Sequence, residues 1–186
     1  MSNITIHHGD CWRYILEEEM ILNNVDAIIT DPPYDAKINL PLLADICKGP
    51  IIMFCDPARP FLKPDEKAYW IKTPSTKNFS KHLGRFVEEI LILRGNYFNP
   101  DLHWSNYTGV YDDRLLAKQD HPFQKPLPLI ERLMAIYTRP GSVVFDPFMG
   151  SGTTLRAARN LGRSFIGCEI DDTYFQMCLD IMEGKE

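Results

Sequence analysis

The chain alternates short, unbroken β-rich apolar runs with amphipathic stretches of helical period, and this constrains its fold more than any other feature. The patterning predicts strands at Ile4–His7, Asp26–Thr30, Pro50–Cys55, Ala68–Lys72, Phe86–Arg94, Ser142–Phe145 and Ser164–Cys168. It predicts helices at Cys11–Ile21 (with Asp10 as N-cap), Leu40–Cys47, Pro126–Thr138, Thr153–Leu161 and Asp172–Met182. Strands alternating with helices imply an α/β fold with a mainly parallel, doubly wound, Rossmann-like sheet. No linker, internal repeat or low-complexity tract divides residues 1–186, so a single domain is expected. Ligands on such sheets bind beyond the carboxyl ends of the strands. The residues that follow each strand therefore carry the functional information.

Two strand ends stand out. After Val143-Val144-Phe145 comes Asp146-Pro147-Phe148-Met149-Gly150-Ser151-Gly152-Thr153-Thr154, a strand, a tight turn and a helix start. Glycine at 150 and 152 permits positive φ and a close approach of backbone to ligand. The unpaired N–H groups of the following helix favour an anion. No lysine follows Gly152, so the turn is not a P-loop, and Leu155 stands where a dinucleotide fingerprint needs its third glycine. The next strand ends in Glu169, whose carboxylate suits the hydroxyls of an unphosphorylated ribose. An adenosine ligand carrying an amino-acid carboxylate fits these features, and S-adenosylmethionine has that shape.

The second strand end is Ile28-Ile29-Thr30-Asp31-Pro32-Pro33-Tyr34. Consecutive prolines remove two backbone donors and fix φ. A carboxylate, an outward carbonyl and an aromatic ring then share one rigid pocket. Such a pocket can accept hydrogen bonds from the exocyclic amine of a flat base, with Tyr34 stacked on the ring.

Asp31-Pro32-Pro33-Tyr34 followed much later by Asp146-Pro147-Phe148-Met149-Gly150-Ser151-Gly152-Thr153-Thr154 resembles the amino-directed, S-adenosylmethionine-dependent DNA methyltransferases. The order, Asp-Pro-Pro-Tyr first and the Phe148-x-Gly150-x-Gly152 turn last, is similar to the permuted β-class of that family. The resemblance implies that Asp31, Pro32, Pro33 and Tyr34 are catalytic. It implies a cofactor site of Asp10, Cys11, Asp31, Lys125, Asp146, Phe148, Gly150, Ser151, Gly152, Thr153, Thr154, Glu169 and Ile170. His8-Gly9-Asp10-Cys11 looks like the family's acidic position toward the cofactor adenine, and His121–Pro126 looks like the segment that completes the methionine pocket. The implied reaction is methylation of adenine at N6 in DNA. Cytosine N4 methylation is the near alternative. An RNA or protein-amide acceptor, and a non-catalytic cofactor-binding subunit, remain as further readings. Roles as restriction partner, in phage self-protection or in regulation are all compatible with such an activity.

Charge bears on the polymer. The net charge is −5, yet residues 56–85 carry 7 Lys/Arg against 3 Asp/Glu. Arg59, Lys63, Lys67, Lys72, Lys77, Lys81 and Arg85 are interleaved with Phe61, Tyr69, Trp70 and Phe79, a pattern suited to phosphates and stacked bases. These seven are the expected nucleic-acid contacts, within a short target-recognition region somewhere in 56–120. So small a region points to a homodimer or a partner subunit. Trp104, Tyr107, Tyr111, Asp112 and Asp113 lie in a loop-like stretch.

Other classes are disfavoured. The five cysteines form no CxxC pair and the five histidines lack ligand spacing, so neither a disulfide framework nor a metal site is expected. No apolar run nears the ~20 residues of a membrane span. Met1–Thr5 lacks the basic flank and apolar core of a signal peptide, and a cytoplasmic location is expected.

Overall fold

The fold is described here from a computed structural model, over residues 2–18, 24–33, 35–55, 64–71, 87–95, 99, 102, 109–112 and 124–185. Among them are eight strands: β1 (Ile4–His8), β2 (Ala27–Thr30), β3 (Ile51–Cys55), β4 (Glu66–Ile71), β5 (Val87–Leu93), β6 (Val110–Asp112), β7 (Val143–Asp146) and β8 (Ser164–Glu169). Five helices accompany them: α1 (Cys11–Glu17), α2 (Leu40–Ile46), α3 (Leu127–Tyr137), α4 (Thr153–Asn160) and α5 (Asp172–Glu183).

All eight strands form one sheet in the order β1-β8-β7-β2-β3-β5-β4-β6. The pairings β1·β8, β8·β7, β7·β2, β2·β3 and β4·β6 are parallel, whereas β5 runs antiparallel to both of its neighbours. Thus only β5 is reversed. The expected α/β, doubly wound, mainly parallel sheet is what the chain forms.

Strand alternation divides the core into two layers. Ile28, Ile51, Met53 and Phe145 pack on one face with Tyr14 and Ile15 of α1 and Leu43 and Ile46 of α2. Ile29, Ile52, Phe54, Ile90, Ile92 and Val144 pack on the other with Leu133 and Met134 of α3, Leu155 and Ala158 of α4, and Ile181 of α5. β2 and β3 are buried along their whole length, as parallel strands covered on both faces must be. Helix starts follow local chemistry. Asp10 Oδ1 accepts from Trp12 N at 2.7 Å, Asn39 Oδ1 from Leu42 N at 3.2 Å, and Asp171 Oδ1 from Thr173 N at 2.9 Å.

Four expectations need adjustment. The first helix was expected to run to residue 21 but closes at Glu17, with Glu18 N bonded to Tyr14 O. Beyond Ile15 the residues Leu16, Glu17 and Glu18 are exposed and bury nothing to carry the helix on. The strand expected from Ala68 begins at Glu66, where pairing with Ile92 extends it. The strand expected at Phe86–Arg94 occupies Val87–Leu93, since Arg94 turns out of the ladder with φ 56°. Finally, Tyr111 and Asp112 are not in a loop: they belong to β6, parallel to β4 through Tyr69↔Val110, Trp70↔Tyr111 and Ile71↔Asp112.

The winding direction reverses between β7 and β2. From β2 the chain passes through α2 to β3 on one side, and from β7 through α4 to β8 on the other. Their neighbouring carboxyl ends make a topological switch point, the place where such sheets bind ligands.

Candidate functional site

Register brings the predicted residues to one edge of the sheet. β1 and β8 end together at His8↔Glu169, β7 ends at Asp146 opposite Gly167 of β8, and β2 lies beside β7 through Ile28↔Phe145. The segments that follow these strands, Gly9-Asp10, Asp31-Pro32-Pro33, Pro147-Phe148 and Ile170, therefore share one rim.

Two adjoining cavities open there. The larger, about 320 Å3, is lined by Asp10, Cys11 and Trp12, by Asp31 and Pro33, and by Phe148, Gly150, Glu169 and Ile170. The smaller, about 100 Å3, is lined by Thr30, Asp31, Phe54, Gln124, Lys125, Asp146, Phe148, Gly150, Ser151, Thr153 and Thr154. Asp31, Phe148 and Gly150 belong to both and form the partition between them.

The glycine turn does two separate jobs. Gly150 (φ 52°) has no heavy atom within 4 Å of where a Cβ would stand, and it lines both cavities. Its missing side chain is thus space given to the site. Gly152 (φ 85°) instead lies against α5, where a Cβ would come within 2.6 Å of Ile181 Cδ1. It permits close packing rather than ligand approach.

The acidic residues differ as well. Glu169 Oε1 accepts from Ile170 N and Asp171 N, and Oε2 from Gly150 N, all at 2.8 Å. With about four acceptor positions on a carboxylate, this leaves room for one further donor. Asp146 is 2% exposed; its Oδ1 accepts from Thr30 Oγ1 at 2.8 Å and from Phe148 N at 3.1 Å. Burial pushes its carboxyl up to about 7 against the opposing hydrogen bonds from Thr154, Thr30 and Phe148. Asp146 thereby ties β7 to β2 and shapes the turn, besides lining the smaller cavity.

Lys125 occupies the centre. Its Nζ lies 2.5 Å from Asp31 Oδ2 and 3.2 Å from Glu88 Oε1, and 5.0 Å from the centroid of the Phe54 ring. Burial works to lower its pKa, but the charges of Asp31 and Glu88 prevail and raise it, so the ammonium is held charged. The cysteines carry no nucleophile. All five are buried and none forms a disulfide. Burial pushes Cys11 and Cys178 up to about 12 and raises Cys168 as well.

Of the expected site residues, Asp10, Cys11, Asp31, Pro33, Lys125, Asp146, Phe148, Gly150, Ser151, Thr153, Thr154, Glu169 and Ile170 line the two cavities. Tyr34 lies outside the described residues, as do Arg59, Lys63, Lys72, Lys77, Lys81 and Arg85. Lys67 is described; it sits on β4 with its Nζ 3.1 Å from Glu89 Oε2. Sequence reasoning missed Glu88 and Phe54, and Trp70, expected among base-stacking aromatics, is instead 5% exposed with its ring centroid 5.7 Å from Lys125 Nζ. The signal for Glu88 was available: in Val87-Glu88-Glu89-Ile90-Leu91-Ile92, period two puts it on the same face as Ile90 and Ile92.

Among the described residues no group of three or more His, Cys, Asp or Glu could hold a metal ion, and no helix is long and apolar enough to cross a membrane.

The DNA methylase family (N6_N4_Mtase) matches residues 61–180. Among curated proteins, the chain is 34% identical over 133 residues to the type II methyltransferase M2.DpnII of Streptococcus pneumoniae, a match covering 62% of the chain and 50% of that protein. It is 43% identical over 65 residues to the type II methyltransferase M.BglII of Bacillus subtilis, covering 35% of the chain and 18% of that protein. The chain thus matches half or less of the length of these curated relatives. Among solved structures, the M1.HpyAVI–SAM complex superposes with a TM-score of 0.76 at 31% identity, covering 96% of the chain and 99% of that protein.

Proposed function

The chain belongs to the DNA methylase family, and from that premise we propose that it transfers a methyl group from S-adenosylmethionine to the exocyclic N6 amine of adenine in DNA. One observation carries the reading: Asp31, the single carboxylate among the described residues that both cavities share, stands where a donor in one would meet an acceptor in the other.

The lining fits the cofactor. Gly150 leaves open space where a Cβ would project, Trp12 and Phe148 meet edge-on at 5.9 Å in the wall of the larger cavity, and Glu169 has acceptor capacity left at its rim. Asp10, Cys11, Glu169 and Ile170 would hold the adenosine end. Lys125, Asp146, Ser151, Thr153 and Thr154, about the open Gly150–Gly152 turn, would hold the amino-acid end. S-adenosylmethionine supplies an electrophilic methyl group on a sulfonium.

The chain's own residues supply position and charge. An aromatic amine is a weak nucleophile because its lone pair is delocalised into the ring. Asp31 accepts one amine proton in a hydrogen bond, and a carbonyl, that of Pro32, accepts the other. Both draw the nitrogen toward tetrahedral geometry. Positive charge develops on that nitrogen during transfer, the fixed Asp31 carboxylate stabilises it, and the methylated nitrogen then gives up one proton to water. The consecutive Pro32-Pro33 pair holds carboxylate and carbonyl in place, and Tyr34 stacks on the flipped base. No covalent intermediate is needed, in keeping with five buried thiols.

We read the motif order, Asp31–Tyr34 before Phe148–Gly152, as that of the β-class. We read residues 1–186 as one domain. The described part of 56–120 includes sheet strands β4 to β6. Target recognition is therefore assigned to the flanking basic residues Arg59, Lys63, Lys72, Lys77, Lys81 and Arg85, with a second copy or a partner subunit completing the grip on DNA. A cytoplasmic location accords with a DNA substrate.

The test is nucleoside mass spectrometry of duplex DNA incubated with the protein and S-adenosylmethionine. N6-methyladenine is expected. N4-methylcytosine alone would overturn the choice of base, and the absence of any methylated base would overturn the activity.

A further inference from the structure

Glu88 lies on β5, between the exposed Val87 and the half-buried Glu89, and is itself 2% exposed. Its face of the strand is otherwise apolar, shared with Ile90 and Ile92. A carboxylate in such a place carries a heavy desolvation cost, and an apolar residue of similar volume is often as stable or more so. Fold stability therefore does not account for it.

Its surroundings point elsewhere. Glu88 Oε1 is 3.2 Å from Lys125 Nζ, and the same Nζ is 2.5 Å from Asp31 Oδ2. The lysine packs over the rings of Phe54 and Trp70, at 5.0 and 5.7 Å from their centroids. The charged groups around it are Asp31 beyond β2 and Glu88 on β5, with Asp146 of β7 lining the same small cavity. Asp31 paired with Lys125 alone would be a neutral dipole, at the point where positive charge must be stabilised. With Glu88 the three groups carry one net negative charge.

We infer that Glu88 is a positioning residue for methyl transfer: it anchors Lys125 from the interior, so that the ammonium is shared between two carboxylates and Asp31 keeps anionic character toward the acceptor amine. This rests on the proposed role of Asp31. Glu88 lines neither cavity and acts through Lys125. With glutamine in place of Glu88, the lysine closes onto Asp31 alone. Burial of the ammonium is then balanced by a single carboxylate, and Lys125 loses its proton at lower pH.

The experiment compares Glu88→Gln and Glu88→Asp with wild type. Three quantities are read: steady-state methylation of duplex DNA across pH, melting temperature, and the ζ-nitrogen titration of Lys125 by NMR. For Glu88→Gln, kcat is expected to fall by on the order of tenfold, with KM for DNA changed less than about threefold. The Lys125 titration should move down by about one pH unit or more, and the rate lost in the variant should return on the alkaline side as the ammonium that neutralises Asp31 gives up its proton. Glu88→Asp should recover most of kcat and the wild-type profile. Unchanged pH profile and titration in Glu88→Gln would overturn the inference. So would a Glu88→Asp variant as impaired as Glu88→Gln with both melting lower, since that marks a packing role. The NMR titration does not depend on turnover. If wild-type protein methylates no DNA, the functional reading fails on its own, and the titration still decides whether Glu88 holds Lys125.

Discussion

Gly150 and Gly152 sit two residues apart in one turn, both at positive φ, and substitution by alanine separates their roles. At either position an L side chain in the left-handed region costs ~1–2 kcal/mol. At 150 nothing is added, because no heavy atom lies within 4 Å of the new Cβ. At 152 the Cβ meets Ile181 Cδ1 at 2.6 Å and Cys178 Sγ at 3.1 Å, and both partners are buried in the layer under α5. Overpacking of this kind costs ~1–3 kcal/mol more, giving about 2–5 kcal/mol in all. For a chain of this size, ~1 kcal/mol lowers the melting temperature by roughly 2–4 °C. Gly152→Ala should then melt about 4–20 °C lower, and Gly150→Ala about 2–8 °C lower. Affinity should show the opposite ranking. The Gly150→Ala methyl enters the space shared by the two cavities. The same ~1–3 kcal/mol then falls on the bound cofactor, raising its Kd about 5- to 150-fold. Gly152→Ala, measured where it is folded, should bind near wild type. Thermal melting and isothermal calorimetry with S-adenosylmethionine decide the matter. Wild-type affinity in Gly150→Ala would refute the assignment of this turn to the cofactor, and equal melting temperatures would refute the packing argument.

Asp31→Ala should reduce methyl transfer by on the order of 10²–10³, with cofactor Kd within a few fold of wild type; near-normal single-turnover rates would sink the mechanism. Asp146, raised to about 7 from an ordinary 3.8, binds more protons folded than unfolded between those values, so stability should fall as pH rises through that window. The full effect is roughly 4 kcal/mol, and Asp146→Asn should flatten it in urea titrations between pH 4 and 7; a retained slope would contradict the assignment. Reversing charge at Lys63, Lys72, Lys77 and Lys81 together should weaken DNA binding to all sequences alike and flatten its salt dependence, the log–log slope falling by about 0.9 per lost phosphate contact. An unchanged slope in a filter-binding series would remove the basic window from the DNA interface.

The parts of this protein legible in sequence are those set by local backbone chemistry. Asp31-Pro32-Pro33 and the Gly150–Gly152 turn are recognisable because proline and glycine restrict or release φ whatever surrounds them. The alternation of buried runs with amphipathic stretches reveals the doubly wound sheet, since each element must bury its apolar face. Long-range pairing decided the rest. The short Val110–Asp112 run has too little apolar periodicity to announce a strand and becomes one by adding to the edge at β4. Reversal of β5 depends on which strands flank it, which no local pattern encodes. Asp146 looked like a ligand contact, yet its bond to Thr30, 116 residues away, makes it also the tie between the two halves of the sheet. Lys125 was read as a cofactor residue. Only tertiary structure places it between Asp31 and Glu88, because a buried ammonium takes its partners from whichever strands the sheet order sets beside it, not from its neighbours in the chain.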